Sequence, residues 1–159
     1  PVIRGGFVVA PAGLLRGAQG ASGPAPSPPP VAAVTQASAA RARRAVMEAE
    51  RALGFEPVDR EVEKLGYDIE SGAPGGGSLR FLEVKGRVAG AGSITVTRNE
   101  IMTALNEPEK FILAIVLFHD GGEETVHYLR RPFDREPDFG VTTVNYRLRT
   151  LLDRAGPPS

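Results

Sequence analysis

Three ionisable residues in the middle of the chain have the types and spacing that a divalent cation and a phosphodiester would require: Asp68, Glu83 and Lys85. Glu83 and Lys85 stand two apart in Leu79 to Lys85 (LRFLEVK), a run that reads as a strand. Strand side chains alternate, so Glu83 and Lys85 share one face while Leu82 and Val84 turn to a core on the other. Asp68 lies in Gly66 to Ser71 (GYDIES), an alternating stretch joined to the first by a glycine-rich connection, Gly72 to Ser78. The two stretches read as a hairpin with a long loop. If Asp68 falls opposite Glu83, or is shifted by two, all three groups meet on one face; a one-residue slip would separate them. Hard Mg²⁺ or Mn²⁺ takes oxygen ligands and keeps several waters. Asp68 and Glu83 could each supply a carboxylate oxygen and Val84 a carbonyl. Such an ion acidifies water and neutralises phosphoryl charge. Lys85 could orient or deprotonate that water, or stabilise the charge building on phosphorus. Without a cation the two carboxylates would repel. The plainer alternative is an exposed ion pair between Glu83 and Lys85.

The elements that must position these groups follow from periodicity. A first helix is expected from Ser38, an N-cap type, to Gly54, a C-cap type, with Ala42, Val46, Ala49 and Leu53 on its buried stripe. At about 100° per residue Glu50 borders that stripe and Glu48 faces water. Ser93 to Thr97 reads as a third short strand. A second helix follows from Arg98 to Asn106, opened by a Thr97/Glu100 capping box and stopped by Pro108. Phe111 to Phe118 (FILAIVLF) is apolar throughout, as a strand covered on both faces would be. Asp120-Gly121-Gly122 makes a turn, and Thr125 to Arg130 the next strand. Asn145 and Tyr146 begin a last helix carrying Leu148, Leu151, Leu152 and Ala155. This order suits an α/β or α+β sandwich around a mixed sheet flanked by helices.

Other polar residues have weaker claims. Glu100 caps its helix and only secondarily could touch a metal or water. Asn99, Arg60 and Lys64 read as solvated. Gly86 bends the strand or lets a phosphate approach, the former being the simpler. Arg87 and Arg98 flank the site and could hold phosphates, with surface salt bridges as the other reading. His119 reads as exposed and His127 as packed; two histidines and no cysteine exclude the usual zinc sets. Gly75 to Gly77 lack the lysine of a phosphate-binding loop.

The 159 residues suggest one domain and a tail. Gly17 to Pro30, rich in Gly, Ala, Ser and Pro, reads as a linker, so residues 1–36 are expected as tail and linker and 37–159 as the folded domain. Val2 to Leu15 could be a remnant of a preceding domain. A start at Pro1 without Met suggests a fragment or processed product. The absence of cysteine fits a reducing cytoplasm, and no apolar run reaches bilayer-spanning length. Lysine plus arginine equals aspartate plus glutamate, 19 each. Affinity for nucleic acid comes largely from neutralised phosphates, so zero net charge argues against strong autonomous binding and permits a catalytic module delivered by an attached partner.

Asp68, a long loop, then Glu83-Val84-Lys85 resembles the D…(D/E)XK signature of the restriction-endonuclease-like nucleases. GYDIES, LRFLEVKGR, TVTRNE, FILAIV and RRPF…PDFG together resemble the NO VEIN C-terminal-like family, over roughly Ala39 to Ala155. The proline that precedes the aspartate in the signature is replaced by Tyr67. The resemblance implies a Mg²⁺- or Mn²⁺-dependent nuclease acting on DNA rather than RNA, in the bacterial cytoplasm. It also implies a helicase partner or fusion, a homodimer as one possible assembly, and a role in DNA processing or phage defence. The first helix of such nucleases often adds an acid, which points to Glu50 as a metal or water contact; an edge glutamate is the alternative. A second class of function is a catalytically silent docking module for nucleic acid or protein.

Overall fold

The computed structural model describes residues 31–159; the expected linker and the Val2 to Leu15 segment lie outside the described residues. Helix α1 runs Val31–Ala52. It begins seven residues before the expected Ser38 cap, because Val31 to Gln36 contains nothing that breaks a helix. It ends as expected, with Gly54 in the left-handed conformation that glycine adopts without strain (φ 87°). Strands β1 (Glu56–Asp59), β2 (Ile69–Gly72) and β3 (Leu79–Val88) follow. Next come β4 (Ser93–Thr97), α2 (Arg98–Asn106), β5 (Phe111–Phe118) and β6 (Glu124–Arg130). The chain closes with β7 (Thr143–Arg147) and the short α3 (Leu148–Leu152).

Five strands form one mixed sheet in the order β1-β2-β3-β5-β6. The β3–β5 pair is parallel and the others antiparallel. The parallel pair requires a crossover, and α2 with β4 supplies it. The expected mixed sheet flanked by helices is therefore present. Side-chain alternation along β5 builds two cores. Phe111, Leu113 and Ile115 pack with Ile94, Val96, Ile101 and Leu148 on the face covered by α2, β4, β7 and α3. Ile112, Ala114 and Val116 pack with Ala42, Val46, Leu82 and Val84 on the face covered by α1. Each such side chain contributes roughly 1.5–3 kcal/mol on full burial, which makes β5 the spine of the fold.

Several expectations are corrected. Leu53 is exposed, and Ala45 takes its place beside Ala42 and Val46, because the helix ends before Leu53 can reach the sheet. Ser93 to Thr97 is a strand but not part of the main sheet; it pairs only with β7. Asn145 and Tyr146 do not open a helix. They belong to β7, whose alternation of exposed and half-buried residues is that of a one-sided strand. β1 had no expectation; its four residues contain a proline and pair along one edge only.

Candidate active site

The β2–β3 hairpin sets the register on which the site depends. Ile69 pairs with Leu82, which places Asp68 opposite Glu83, the alignment that brings the two carboxylates to one face. Just there β2 leaves the ladder. The Asp68 amide donates to the Leu82 carbonyl at 2.9 Å, and the Val84 amide donates to Asp68 Oδ2 at 3.0 Å. The aspartate side chain thus satisfies a buried strand amide that would otherwise lack an acceptor. The same bond fixes the direction of the carboxylate.

Asp68 and Glu83 line one cleft of ≈410 Å³ together with Glu61, Lys64, Tyr67, Thr97, Asn99 and Glu100. Lys85 Nζ lies 2.7 Å from Glu83 Oε1 and 2.8 Å from Glu100 Oε2. Glu100 Oε2 also accepts from the Thr97 amide at 3.1 Å, and Thr97 Oγ1 accepts from the Glu100 amide at 3.3 Å, completing the expected capping box. One carboxylate therefore ties the start of α2 to Lys85 on β3.

Burial raises the Asp68 carboxyl above its ordinary range, against the lowering pull of the Val84 amide and Lys85. Glu83, only 4 % exposed, is raised well above the usual range. Burial dominates, Lys85 opposes it, and Asp68 and Glu100 add repulsion. Burial alone would lower the Lys85 ammonium, but Glu83 and Glu100 outweigh it and the net shift is upward. Lys85 is thus held as a cation beside carboxylates that lack enough positive charge.

The second lip of the cleft is pressed against α2. Gly66 has φ 89°, and a Cβ there would stand 2.2 Å from Thr103 Oγ1. Lys64 adopts φ 51°, unusual for a residue with a side chain. Its carbonyl accepts from Asn99 Nδ2 at 3.5 Å. Lys64 was expected as a solvated charge. It is exposed but stands on the lip, a position set by the turn Glu61 to Gly66 and legible only once that turn is folded.

Glu50 is not brought to this cluster. It sits on α1, across the sheet from Glu83, fully buried. Glu50 Oε1 accepts from the Tyr128 hydroxyl at 2.8 Å and from Arg80 Nη1 at 3.2 Å. The helical wheel correctly set it at the border of the buried stripe, but α1 packs on the face that Glu83 does not occupy. The acid that does join the site from a helix is Glu100, which the sequence marked first as a cap. Arg98 is also diverted. Its guanidinium donates to the Pro137 and Asp138 carbonyls at 3.0 and 3.3 Å, holding the β6–β7 loop. Arg87 does lie on the Glu83–Lys85 row of β3; it donates to the Gly86 carbonyl at 2.7 Å and the Ser93 carbonyl at 3.3 Å. Gly86 faces neither the cleft nor a bend. A Cβ there would meet Ala42 Cβ and Phe118 Cε2 at 3.0 Å each, so glycine is needed for the close approach of α1 to the sheet.

Among the described residues, no three His, Cys, Asp or Glu side chains form a ready-made metal cage. A magnesium-type ion does not need one, since it is held by one or two carboxylates and retains waters. The observed pair fits that requirement. Two carboxylates face each other across adjacent strands, line one cleft, and are both raised by burial.

No curated protein matches the sequence. Among solved structures, the fold is similar to that of Archaeoglobus fulgidus Hjc, a Holliday junction resolvase from an archaeal hyperthermophile. The TM-score is 0.51 at 12 % identity, covering 75 % of this chain and 90 % of that one. The likeness supports the restriction-endonuclease-like architecture. The profile of the family described as Protein NO VEIN, C-terminal, matches residues 39–129. That segment runs from α1 through β6, contains Asp68, Glu83, Lys85 and Glu100, and exceeds half the chain. The chain belongs to the NO VEIN C-terminal family.

Proposed function

We propose that this domain is a Mg²⁺- or Mn²⁺-dependent nuclease that hydrolyses phosphodiester bonds of DNA. The observation that carries the proposal is the Asp68–Glu83 alignment across β2 and β3, with both carboxylates lining one open cleft and Lys85 Nζ 2.7 Å from Glu83. Asp68 and Glu83 offer carboxylate oxygens to the ion, and the Val84 carbonyl is the third protein oxygen. When bound, the ion supplies an acidified water and charge neutralisation at phosphorus. Lys85, wedged between two carboxylates, is an ammonium. Its role is therefore to hold the attacking water as an acceptor or to stabilise charge on the phosphoryl oxygens, not to remove a proton. Glu100 orients Lys85. Water attacks phosphorus directly and gives up its proton to solvent, and the P–O bond to the leaving strand end breaks with that oxygen taking a proton from solvent; no covalent enzyme intermediate forms.

The family resemblance is what supports a module delivered to DNA by a fused or associated helicase in the bacterial cytoplasm, in DNA processing or phage defence; a neutral net charge is compatible with such delivery. Homodimerisation would serve two-strand cleavage. The second reading is a silent docking module, which the same neutral charge does not favour for strong nucleic-acid binding. Calorimetric titration with Mn²⁺ separates the two. Binding that disappears in both Glu83→Gln and Asp68→Asn, together with Mn²⁺-dependent nicking of a plasmid, supports the nuclease. No binding to the unaltered chain would remove it and leave the docking module.

A further inference from the structure

The exposed face of the β4–β7 ribbon has a composition that sets it apart. Ile94 and Val96 are fully buried, so Ser93, Thr95 and Thr97 turn outward. They stand in register with Arg147, Asn145 and Thr143. None of these six is an acid. Thr95 Oγ1 donates to Asn145 Oδ1 at 2.6 Å, which leaves the Asn145 amide nitrogen to donate outward. Among the described residues Arg147 has no carboxylate partner. Neither has Arg87, which is tied to the Ser93 end of the ribbon through carbonyl oxygens only. The opposite end, Thr97, already lines the cleft with Asp68 and Glu83. A strand of five residues extends about 3.3 Å per residue. The row is therefore a continuous polar path about 16 Å long, beginning at the paired carboxylates and ending at two uncompensated cations. Arginine, hydroxyl and amide donors without acids are the groups that contact phosphates. The acids Asp134, Glu136 and Asp138 line a separate cleft of ≈570 Å³ along β7, also bordered by Thr143 and Asn145. Arg135 lines it too; the three acids would disfavour an anion inside that cleft and set the outer limit of the row at Thr143 and Asn145.

We propose that this ribbon face is a track for the nucleic-acid backbone, in which Arg147, Arg87, Thr95 and Asn145 hold successive phosphates and lead the strand past Thr97 to the cleft. The track rests on the nuclease reading and specifies where its substrate lies. It gives a neutral chain local affinity without excess positive charge elsewhere.

The test is fluorescence anisotropy of a labelled DNA duplex with the full chain in EDTA, across a salt series. Each phosphate contact contributes about 0.9 to the slope of log K against log salt. Arg147→Ala and Arg87→Ala should each reduce that slope by about one, whereas Arg51→Ala, on the far face, should leave it unchanged. Thr95→Asp should weaken binding by about tenfold or more, and Thr95→Lys should tighten it, an opposite response that loss of folding could not produce. Equal slopes in the wild type and both arginine variants, or no binding by the wild type at low salt, would overturn the track. Mn²⁺ titration and plasmid nicking of the same preparations separate the two proposals. Nicking with unchanged slopes keeps the nuclease and removes the track; reduced slopes without Mn²⁺ binding keep the surface and remove the nuclease.

Discussion

Replacing Glu50 tests whether the sheet truly divides it from the chemistry. Its carboxylate is fully buried, accepts from the Tyr128 hydroxyl at 2.8 Å and from Arg80 at 3.2 Å, and leaves Oε2 without a partner. Arg80 also stacks 3.7 Å above the Phe55 ring, so it is held in place when its partner is removed. In Glu50→Ala the Tyr128 hydroxyl loses its acceptor, at about 1–3 kcal/mol. One side of a buried ion pair is also lost, at about 3–5 kcal/mol. The two costs overlap, and removal of the unpartnered Oε2 offsets part of them, so the net expectation is about 3–5 kcal/mol. At roughly 2–4 °C per kcal/mol for a chain near this size, the midpoint of thermal unfolding falls by on the order of 10 °C. Glu50→Gln keeps the shape and one acceptor and should lose about a third of that. Circular-dichroism melting measures both. In parallel, Mn²⁺ titration of Glu50→Gln below its midpoint should match the unaltered chain, because Glu50 lies on the α1 face. A variant that melts normally but loses Mn²⁺ affinity would refute this assignment and return Glu50 to the metal site.

Lys85→Met should abolish plasmid nicking and tighten Mn²⁺ binding, because the ammonium no longer competes for Glu83; calorimetry and gel assay read the two separately. Asp68 and Glu83 are both raised by burial, so protons compete with metal at higher pH than for ordinary carboxylates. Mn²⁺ affinity should fall as pH drops, beginning above the usual carboxylate range. The sign for stability is the reverse in the metal-free protein. Folded-state values above the unfolded ones mean protons bind the native state preferentially, so the melting midpoint in EDTA should decline as pH rises from the ordinary carboxylate range through the raised values. Added Mn²⁺ should restore it. Gly86→Ala forces a Cβ to within 3.0 Å of Ala42 and Phe118 and should destabilise by about 1–3 kcal/mol, read by denaturant unfolding. Mn²⁺ binding by its folded fraction should persist.

The strands that carry the chemistry were legible because their signals are local. Leu79 to Lys85 alternates in its second half and Phe111 to Phe118 is apolar throughout; both are free of breakers, and both are strands. The Thr97/Glu100 cap declared the start of α2 in four residues, and α2 runs Arg98–Asn106 as expected. β1 and β7 escaped because each is short and gains its place by pairing with a distant partner. Asn145 and Tyr146 precede a leucine-spaced helix, and nothing local distinguishes the end of a strand from the first turn of that helix. Only pairing with Thr95 and Ile94 does so.

The sequence by itself determined which groups could do chemistry and on which side of their own strand each points, since alternation is a property of the backbone alone. It could state the condition for Asp68 and Glu83 to meet, but register is a relation between two strands. The 69–82 pairing that satisfies the condition belongs to the folded hairpin. Which helix covers which face of a sheet is likewise a long-range fact. Glu50 and Glu100 are both helical acids on the border of a buried stripe. Tertiary packing sends the first to Tyr128 and Arg80 behind the sheet and the second to the cleft, paired with Lys85.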